Sequence, residues 1–194
     1  MLVQSEGPWD RPGTLYFWSG PLSMFAPTPG LQLPGGWYGH PDPAPLYEIP
    51  TAEHYFHACK ARSREEFEWI LAAPNPRAAK QRGGPRGERG RQIGLRPGWD
   101  DGISRSVALV ANRGKFVLEP YRTYLLLTGD APLAEDSPYD YRWGCRDAAG
   151  GFTGRNWLGL TLMQVRAELP AMHADHLSRL HITPQARAAR RAAA

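Results

Sequence analysis

Glu53 and Lys60 are the two residues whose types and spacing best suggest chemistry in this chain. They frame the sequence Glu-His-Tyr-Phe-His-Ala-Cys-Lys. Seven residues are nearly two helical turns, so one amphipathic helix would place both side chains on one face, with Phe56 and His57 between them. A carboxylate and an amine on one aromatic wall could transfer protons and attack a substrate. The alternative is a solvated helix face whose two charges are too far apart to pair.

Lysine is scarce, which narrows the search for a reactive amine. The chain has only Lys60, Lys80 and Lys115, against twenty arginines. Burial disfavours the ammonium form, and the neutral amine is a nucleophile, so Lys60 is the first candidate. Lys80 lies beside an arginine-rich segment, where phosphate contact is the simpler role, and Lys115 is a reserve. The alternative for Lys60 is a side chain that extends to water.

Composition indicates one globular domain. The chain has 194 residues, a hydrophobic fraction of 42%, seven Trp, eight Tyr and six Phe. We expect no membrane span, because no apolar run approaches about 18 residues. Cys59 and Cys145 cannot make a disulfide framework or a four-ligand zinc site. The N-terminus lacks the basic start and apolar run of a signal peptide, so a cytoplasmic protein is expected.

Basic residues are unevenly distributed along a chain of net charge +4. Between Arg77 and Arg96 there are seven basic residues and one acidic residue. Residues 83–94 of this stretch are so rich in glycine and arginine that we expect a loop that is mobile or ordered only by a partner. Such a loop suits a polyanion. The predicted nucleic-acid contacts are Lys80, Arg82, Arg86, Arg89 and Arg91.

Helix and strand signals alternate in a way that predicts an α+β or mostly α fold, with several helices and a small set of short strands. Strands are expected at 14–18, 46–49 and near 133–136, with a hairpin at 31–38. Helices are expected after Thr51, at 63–73, 77–82, after Asp100, at 120–127, after Asn156 and at 171–180. In the helix after Asp100, the predicted core face is Ile103, Val107 and Val110. Residues 183–194 are expected to be a frayed tail.

Six blocks in this order resemble the NADAR family of YbiA-like proteins. No single block is specific, but the order is, and the resemblance runs from about Leu15 to Leu169. It implies one catalytic domain at 14–170, followed by a C-terminal helix and an Ala/Arg-rich tail at 171–194. The blocks are residues 14–25, the Glu-His-Tyr-Phe segment, Trp99-Asp100, Thr128-Gly129-Asp130 with Leu133-Ala134-Glu135, Asp140-Tyr141-Arg142-Trp143-Gly144, and residues 156–166 beginning Asn-Trp-Leu-Gly.

The resemblance also implies roles for the residues in these blocks. Lys60 would attack C1 of a ribose and form a Schiff base, expelling a nucleobase amine. Glu53 would transfer protons, and Asp140 would complete the catalytic set. The implied substrate-binding residues are Ser23, Phe25, His54, Trp99, Glu135, Trp143, Gly144, Asn156 and Arg166.

Each of these residues also has a structural alternative. A tryptophan is usually part of the core, and Asn156 is explained nearly as well as a helix cap. Glu53 is favourable in the first turn of any helix, because of the helix dipole. Asp140 follows Ser137-Pro138 and could be a turn residue.

Family members cleave N-glycosidic bonds, and three functions follow as expectations. The preferred one is removal of ADP-ribose from guanine bases in DNA, as an antitoxin to a cognate DNA ADP-ribosyltransferase. The second is hydrolysis of phosphoribosylamino-pyrimidine intermediates of riboflavin synthesis. The third, from another class, is a module that binds ADP-ribose without cleaving it. No cofactor and no metal are expected, no membrane contact, and a monomer.

Overall fold

Six α-helices and six short strands form the part of the chain that the computed structural model describes, residues 11–148 and 151–179. The predicted α+β fold with dominant helices is confirmed, and no helix in this part is long and apolar enough to cross a membrane. The strands are β1 (Leu15–Phe17), β2 (Gln32–Pro34), β3 (Leu46–Glu48), β4 (Leu133–Glu135), β5 (Arg146–Ala148) and β6 (Gly151–Thr153). The helices are α1 (Ala52–Ala58), α2 (Arg64–Leu71), α3 (Pro76–Arg82), α4 (Ser104–Phe116), α5 (Tyr121–Leu126) and α6 (Trp157–Arg179).

Strands β1 and β4 pair in parallel and join the two ends of the domain. Phe17 lies opposite Glu135 in this register, and the backbone N–H of Asp136 donates to the Phe17 carbonyl at 2.8 Å. The pairing therefore brings Glu135 beside the segment that follows β1. The other strand pairs are antiparallel, β2 with β3 and β5 with β6.

The predicted hairpin at 31–38 is wrong. Strand β2 pairs with β3, with Gln32 opposite Glu48. The chain does not reverse direction at Gly36, where an added Cβ would lie 2.3 Å from the Cys59 sulfur. Glycine serves close packing here rather than a turn, and Trp37 continues inward to meet Phe67, with ring centroids 5.4 Å apart.

Helix α1 is the centre of the core. All seven of its residues are buried, and the Thr51 hydroxyl caps it by accepting from the backbone N–H of His54. The solvated-face alternative is therefore wrong. The helix also ends earlier than predicted, at Ala58, so Lys60 lies in the turn beyond it, where its backbone N–H donates to the His57 carbonyl.

Helix α4 buries a different face from the predicted one. Val110 is 38% exposed, while Ile103 and Val107 are only partly buried. A Cβ added at Gly114 would lie within 2.9 Å of two leucine side chains from the β2 region, so this helix packs through small residues. The buried positions are Ser104, Ala108, Ala111, Asn112, Lys115 and Phe116. The sequence pattern failed because small and polar residues, rather than aliphatic ones, form this face.

Helix α6 buries Leu158, Leu162, Val165 and Leu169, as predicted. It continues through Pro170 to Arg179, so residues after 170 extend the same helix and do not form another one. The predicted tail at 183–194 and the N-terminal segment 1–10 lie outside the described residues.

The glycine–arginine segment is packed, which corrects the expectation of a mobile loop. The Trp69 ring has the guanidinium carbon of Arg91 4.3 Å from its centroid and that of Arg82 at 5.2 Å. Arg82 pairs with Glu88 at 2.6 Å, and Arg91 pairs with Glu65 at 2.8 Å. The segment is ordered because α2 offers it carboxylates and an aromatic face, partners that glycine content alone did not reveal.

Candidate active site

One cavity of about 930 Å³ collects most of the predicted chemistry. The three predicted catalytic residues, Lys60, Glu53 and Asp140, all line it. So do Ser23, Phe25, Glu135, Trp143 and Lys80. The walls come from α1, α3, the segment after β1, the start of α5 and the segment after β4, so residues far apart in sequence meet here.

Glu53 and His57 form a buried pair in this cavity, one helical turn apart. His57 Nε2 lies 3.1 Å from Glu53 Oε1. Burial alone would raise the pKa of Glu53, but the hydrogen bond and charge of His57, with the charges of Lys80 and Lys60, outweigh burial and lower it. Burial also lowers the pKa of His57, against the pull of Glu53. At neutral pH Glu53 is therefore a carboxylate that accepts a hydrogen bond from His57 Nε2.

Lys60 enters the same space from the turn after α1. Its Nζ donates to the Gly83 carbonyl at 3.2 Å and lies 5.5 Å and 5.7 Å from the ring centroids of Phe56 and Trp99. Burial lowers the pKa of Lys60 to about 8, although the Glu53 charge opposes this shift. A substantial fraction of its amine is therefore neutral near physiological pH, which is the nucleophilic form.

Gly83, at the start of the glycine–arginine segment, and Arg96, two residues beyond its end, hold Lys60 in place. Gly83 accepts from its Nζ, and the backbone N–H of Arg96 donates to the Lys60 carbonyl at 2.9 Å. Gly83 also has no room for a side chain, since an added Cβ would lie 2.8 Å from Nδ1 of His57. This close approach fixes the direction of the amine relative to the Glu53–His57 pair.

Glu135 and Asp140 supply the remaining carboxyl groups. Burial, then the charges of Glu53 and Asp140, raise the pKa of Glu135 to about 7. Asp140 accepts from the backbone N–H groups of Arg142 and Trp143 at 2.9 and 3.0 Å, which fixes the turn that carries it. At neutral pH Glu53 is thus ionised while Glu135 is partly protonated, which is the pattern expected of a base and an acid sharing one site.

Exposed aromatic rings surround the cavity on its solvent side. Trp18 is 51% exposed, Tyr124 45% and Tyr139 87%, and all three line the cavity. Arg77 and Lys80, one turn apart on α3, add positive charge. Large exposed rings mark a binding surface, and here they suit a flat group attached to an anionic one.

Five predicted substrate-binding residues do not line this cavity as the described residues form it. His54 is buried, with its Nδ1 2.8 Å from the Thr51 hydroxyl and its Nε2 3.1 Å from the Ala73 carbonyl. Arg166 donates to the Thr128 hydroxyl at 2.7 Å. These contacts lie within the fold, so both residues support the structure there.

The other three residues, Asn156, Gly144 and Trp99, lie behind the residues that line the cavity. Asn156 accepts from the Glu135 N–H at 3.1 Å and donates to the Leu133 carbonyl at 2.8 Å, so it braces β4. Gly144 lets that region pack closely, since an added Cβ would lie 2.7 Å from the Glu135 carbonyl oxygen. Trp99 is buried and supports the Lys60 amine.

Sequence reasoning did not assign His57, Arg77, Tyr124 or Tyr139 to the site. The i, i+4 spacing of Glu53 and His57 is the signal that identifies the first, because those positions are neighbours on a helix. The two tyrosines and Arg77 come to the cavity only through tertiary packing, and no local pattern marks them.

The predicted nucleic-acid contacts divide into two groups. Arg82 and Arg91 are engaged with Glu88, Glu65 and Trp69. Arg86 and Arg89 are exposed, and Lys80 lines the cavity with its Nζ 4.0 Å from Glu53 Oε1. Among the described residues, no three His, Cys, Asp or Glu side chains come together as a metal site.

Comparison with known proteins identifies the family of the chain. The NADAR domain model matches residues 20–170. N-glycosidase YbiA of Escherichia coli (strain K12) is 36% identical over 121 residues, which cover 62% of this chain and 70% of that protein. The chloroplastic riboflavin biosynthesis protein PYRR of Zea mays is 31% identical over 159 residues, 77% of this chain and 23% of that protein.

A solved structure also resembles the fold. The NMR structure of E. coli YbiA aligns with a TM-score of 0.59 and 29% sequence identity, covering 87% of this chain and 91% of that one. The family model alone spans most of this chain, including α1, β4 and the turn that carries Asp140. The chain belongs to the NADAR family.

Proposed function

We propose that the protein is an N-glycosidase that removes ADP-ribose from guanine bases in DNA. The observation that carries the chemistry is the shared cavity of Lys60, Glu53 and Glu135. Its amine has a pKa lowered to about 8, and one of its carboxyl groups has a pKa raised to about 7. Relatives named N-glycosidases support the reaction class.

In the proposed reaction the neutral Lys60 amine attacks C1 of the ribose. The lone pair of Nζ forms the new bond to C1, and the bond from C1 to the base nitrogen breaks. That nitrogen keeps the electron pair and takes a proton from Glu135. Nζ then loses a proton to Glu53, and its lone pair forms the C=N bond of the Schiff base as the bond from C1 to the ring oxygen breaks. The ring oxygen takes that proton from Glu53, and water then adds to C1, releases the free sugar and restores the amine.

Glu53 has a different role in this scheme. Its ionised carboxylate stabilises positive charge at C1 as the base departs and accepts the proton that Nζ loses. The hydrogen bond from His57 keeps it ionised. Asp140 adds further negative charge to the same wall, from a turn fixed by its own backbone contacts.

DNA is preferred as the carrier of the substrate because of the aromatic and basic surroundings of the cavity. A guanine must leave the base stack to be processed, and a cavity edged by exposed rings can receive it. A DNA ADP-ribosyltransferase would then be the partner enzyme that supplies the modified base.

Hydrolysis of a phosphoribosylamino-pyrimidine is the second candidate. A relative named for riboflavin biosynthesis favours it, and the same lysine and carboxyl groups would serve. Arg77 and Lys80 would then hold one phosphate. A module that binds ADP-ribose without cleaving it is the third candidate, and it would not depend on Lys60.

Incubation with a guanine-ADP-ribosylated oligonucleotide tests the proposal. We expect intact-mass analysis to show unmodified oligonucleotide released by the wild-type protein and not by Lys60→Ala. Release only from a phosphoribosylamino-pyrimidine would support the second candidate and overturn the DNA one. Tight binding of ADP-ribose with no release from either substrate would support the binding module.

A further inference from the structure

Four arginines surround two aromatic rings on one surface of the domain. The guanidinium carbons of Arg105, Arg142 and Arg155 lie 5.4, 5.8 and 5.6 Å from the ring centroid of Trp157. That of Arg146 lies 4.4 Å from the ring centroid of Tyr141. We call these four arginines and two rings the arginine patch.

The backbone builds this patch from two segments that run side by side. Backbone N–H groups of Arg155 and Trp157 donate to the carbonyls of Tyr141 and Arg142 at 2.7 and 3.2 Å. Arg105 reaches the same ring from α4. Because three elements converge on Trp157, the arginines are held close together despite their mutual repulsion.

Among the described residues, one ion pair is formed by an arginine of the patch. This ion pair joins Arg142 to Asp100 at 2.9 Å, and both side chains are more than half exposed. Arg146 and Arg155 are exposed, as is Tyr141 at 42%. A cluster of arginines on one surface is the electrostatic footprint of a phosphate-binding surface.

The patch adjoins the cavity through edge-to-face contacts between aromatic rings. Trp157 meets Trp143 edge-to-face at 5.5 Å between centroids, and Trp143, which lines the cavity, meets Phe56 at 5.0 Å. Arg142 also follows Asp140 by only two residues. The patch is therefore joined to the cavity wall by two direct ring contacts.

We propose that the arginine patch binds the phosphodiester backbone of a single-stranded nucleic acid whose modified base enters the cavity. Guanidinium groups contact the phosphates, and the exposed Tyr141 ring offers a stacking face for an unpaired base. This inference rests on the proposed function for its substrate, and it names the surface that would hold the strand.

The glycine–arginine segment is the competing surface, and its structure argues against it. Arg82 and Arg91 already have carboxylate partners and stack on Trp69. Binding phosphate there would break those pairs, whereas Arg146 and Arg155 lie exposed against aromatic rings. Arg86 and Arg89 of the glycine–arginine segment are exposed as well, so the experiment must compare the two surfaces directly.

Fluorescence anisotropy with a labelled fifteen-nucleotide oligothymidylate tests the proposal at several sodium chloride concentrations. The patch variant is Arg105→Gln/Arg146→Gln/Arg155→Gln, which spares Arg142 because its partner Asp100 influences Lys60. We expect about a tenfold or larger loss of affinity at low salt and a salt slope reduced by about two, as three lost phosphate contacts on a single strand require.

The matched control is Arg86→Gln/Arg89→Gln/Arg91→Gln, which removes the same charge from the other segment. We expect its affinity to stay within about threefold of wild type. Larger loss in this control, equal loss in both variants, or no binding by the wild-type protein would overturn the proposal. Circular dichroism melting confirms that each variant is folded.

Hydrolysis of the nucleoside ADP-ribosyl-guanosine, followed in parallel, separates this proposal from the proposed function. Wild-type protein that hydrolyses the nucleoside but binds no oligonucleotide would refute the strand surface and leave the N-glycosidase. Protein that binds the strand through the patch but cleaves nothing would support the strand surface and refute the N-glycosidase. An oligouridylate of equal length shows whether the surface distinguishes DNA from RNA.

Discussion

Lys60 is partly buried and Lys115 is fully buried, and the structure places the two lysines in opposite situations. Burial lowers the pKa of Lys60 to about 8 and that of Lys115 to about 7. Lys115 donates to the Ser23 carbonyl at 2.6 Å, and its Nζ lies 4.9 Å from the ring centroids of both Phe116 and Tyr121. Lys60 faces the cavity, while Lys115 lies behind the wall that Ser23 forms.

The comparison separates a lowered pKa from access to the cavity, and the proposed reaction requires both. Lys115 has the larger shift, but no carboxyl group contributes to it and its amine does not line the cavity. Lys60 has the smaller shift because Glu53 opposes it, and that same carboxylate can take part in the reaction. Access and neighbouring groups, rather than the pKa alone, select Lys60.

Replacing Lys60 should have the largest effect of any single change. We expect Lys60→Ala to lower kcat/KM for the N-glycoside by at least about 1,000-fold, because the covalent route is lost. Lys80→Ala, which removes an exposed amine from the same cavity, is the control and should act mainly on KM. A Lys60→Ala enzyme within tenfold of wild type would remove the distinction between Lys60 and Lys115.

Glu53 is the group that most clearly separates the environment of Lys60 from that of Lys115. Glu53→Gln should lower kcat by about 100-fold, because the proton acceptor beside the amine is lost. It should also lower the pKa of Lys60 further, since the carboxylate raises it. Rates measured across pH would show both changes, and Glu65→Gln, an exposed carboxylate on α2, should show neither.

The pH dependence of kcat/KM should follow Lys60 and Glu135 together. The active form has Lys60 neutral and Glu135 protonated, and this form is most abundant midway between their pKa values of about 8 and about 7. The rate should therefore rise with pH up to about 7, reach its optimum at about 7.5 and fall above about 8. In Glu135→Gln we expect a loss of about 100-fold and no fall on the alkaline side. An alkaline fall that persists in that variant would assign it to another group.

Gly83 offers a milder change to the position of the Lys60 amine. Gly83→Ala places a methyl group against His57 and should move the carbonyl that holds Nζ, which lowers kcat by about tenfold. Gly84→Ala is the neighbouring control, because its added Cβ would face carbonyls of α3 instead. If both variants retain full kcat, the carbonyl of Gly83 does not position the amine.

Lys115→Met should have the smallest effect on activity and a visible effect on stability. The folded chain holds Lys115 at a pKa of about 7, against an ordinary value of 10.5. The unfolded chain therefore binds more protons between these values, and wild-type stability should rise as pH rises from about 7 towards 10. Methionine removes the buried amine, so the variant should be more stable at pH 7 by about 1–3 kcal/mol and show less of this rise.

Urea unfolding at pH 7 and pH 9 measures this difference, with the exposed Lys80→Met as the control. Activity of Lys115→Met should remain within about threefold of wild type, since no reacting atom is changed. A severe loss of activity with unchanged stability would place Lys115 in the reaction and contradict the comparison.

The order of sequence blocks was enough to predict the fold class, the family and several residues that line one cavity. Glu53, Lys60, Glu135 and Asp140 meet in one cavity as the sequence analysis expected. The capping residue Thr51 and the apolar spacing of α6 were also readable, because local hydrogen bonds and helical periodicity determine them.

What the sequence did not reveal depends on packing between distant segments. His54 and Asn156 looked like ligand contacts, but each finds its partners in the fold. The predicted buried face of α4 was wrong because small residues and a buried lysine form the actual one. The prediction of a mobile glycine–arginine segment was wrong because its partners, Glu65 and Trp69, lie far from it in sequence, on α2.

Peptide mapping of a borohydride-trapped adduct tests the central claim most directly. Reduction during turnover of a guanine-ADP-ribosylated oligonucleotide converts a Schiff base into a stable secondary amine on the lysine that formed it. The account predicts that tandem mass spectrometry will find the sugar remnant on Lys60, with none on Lys80 or Lys115. A remnant on Lys115, or substrate turnover with no trapped lysine at all, would contradict it.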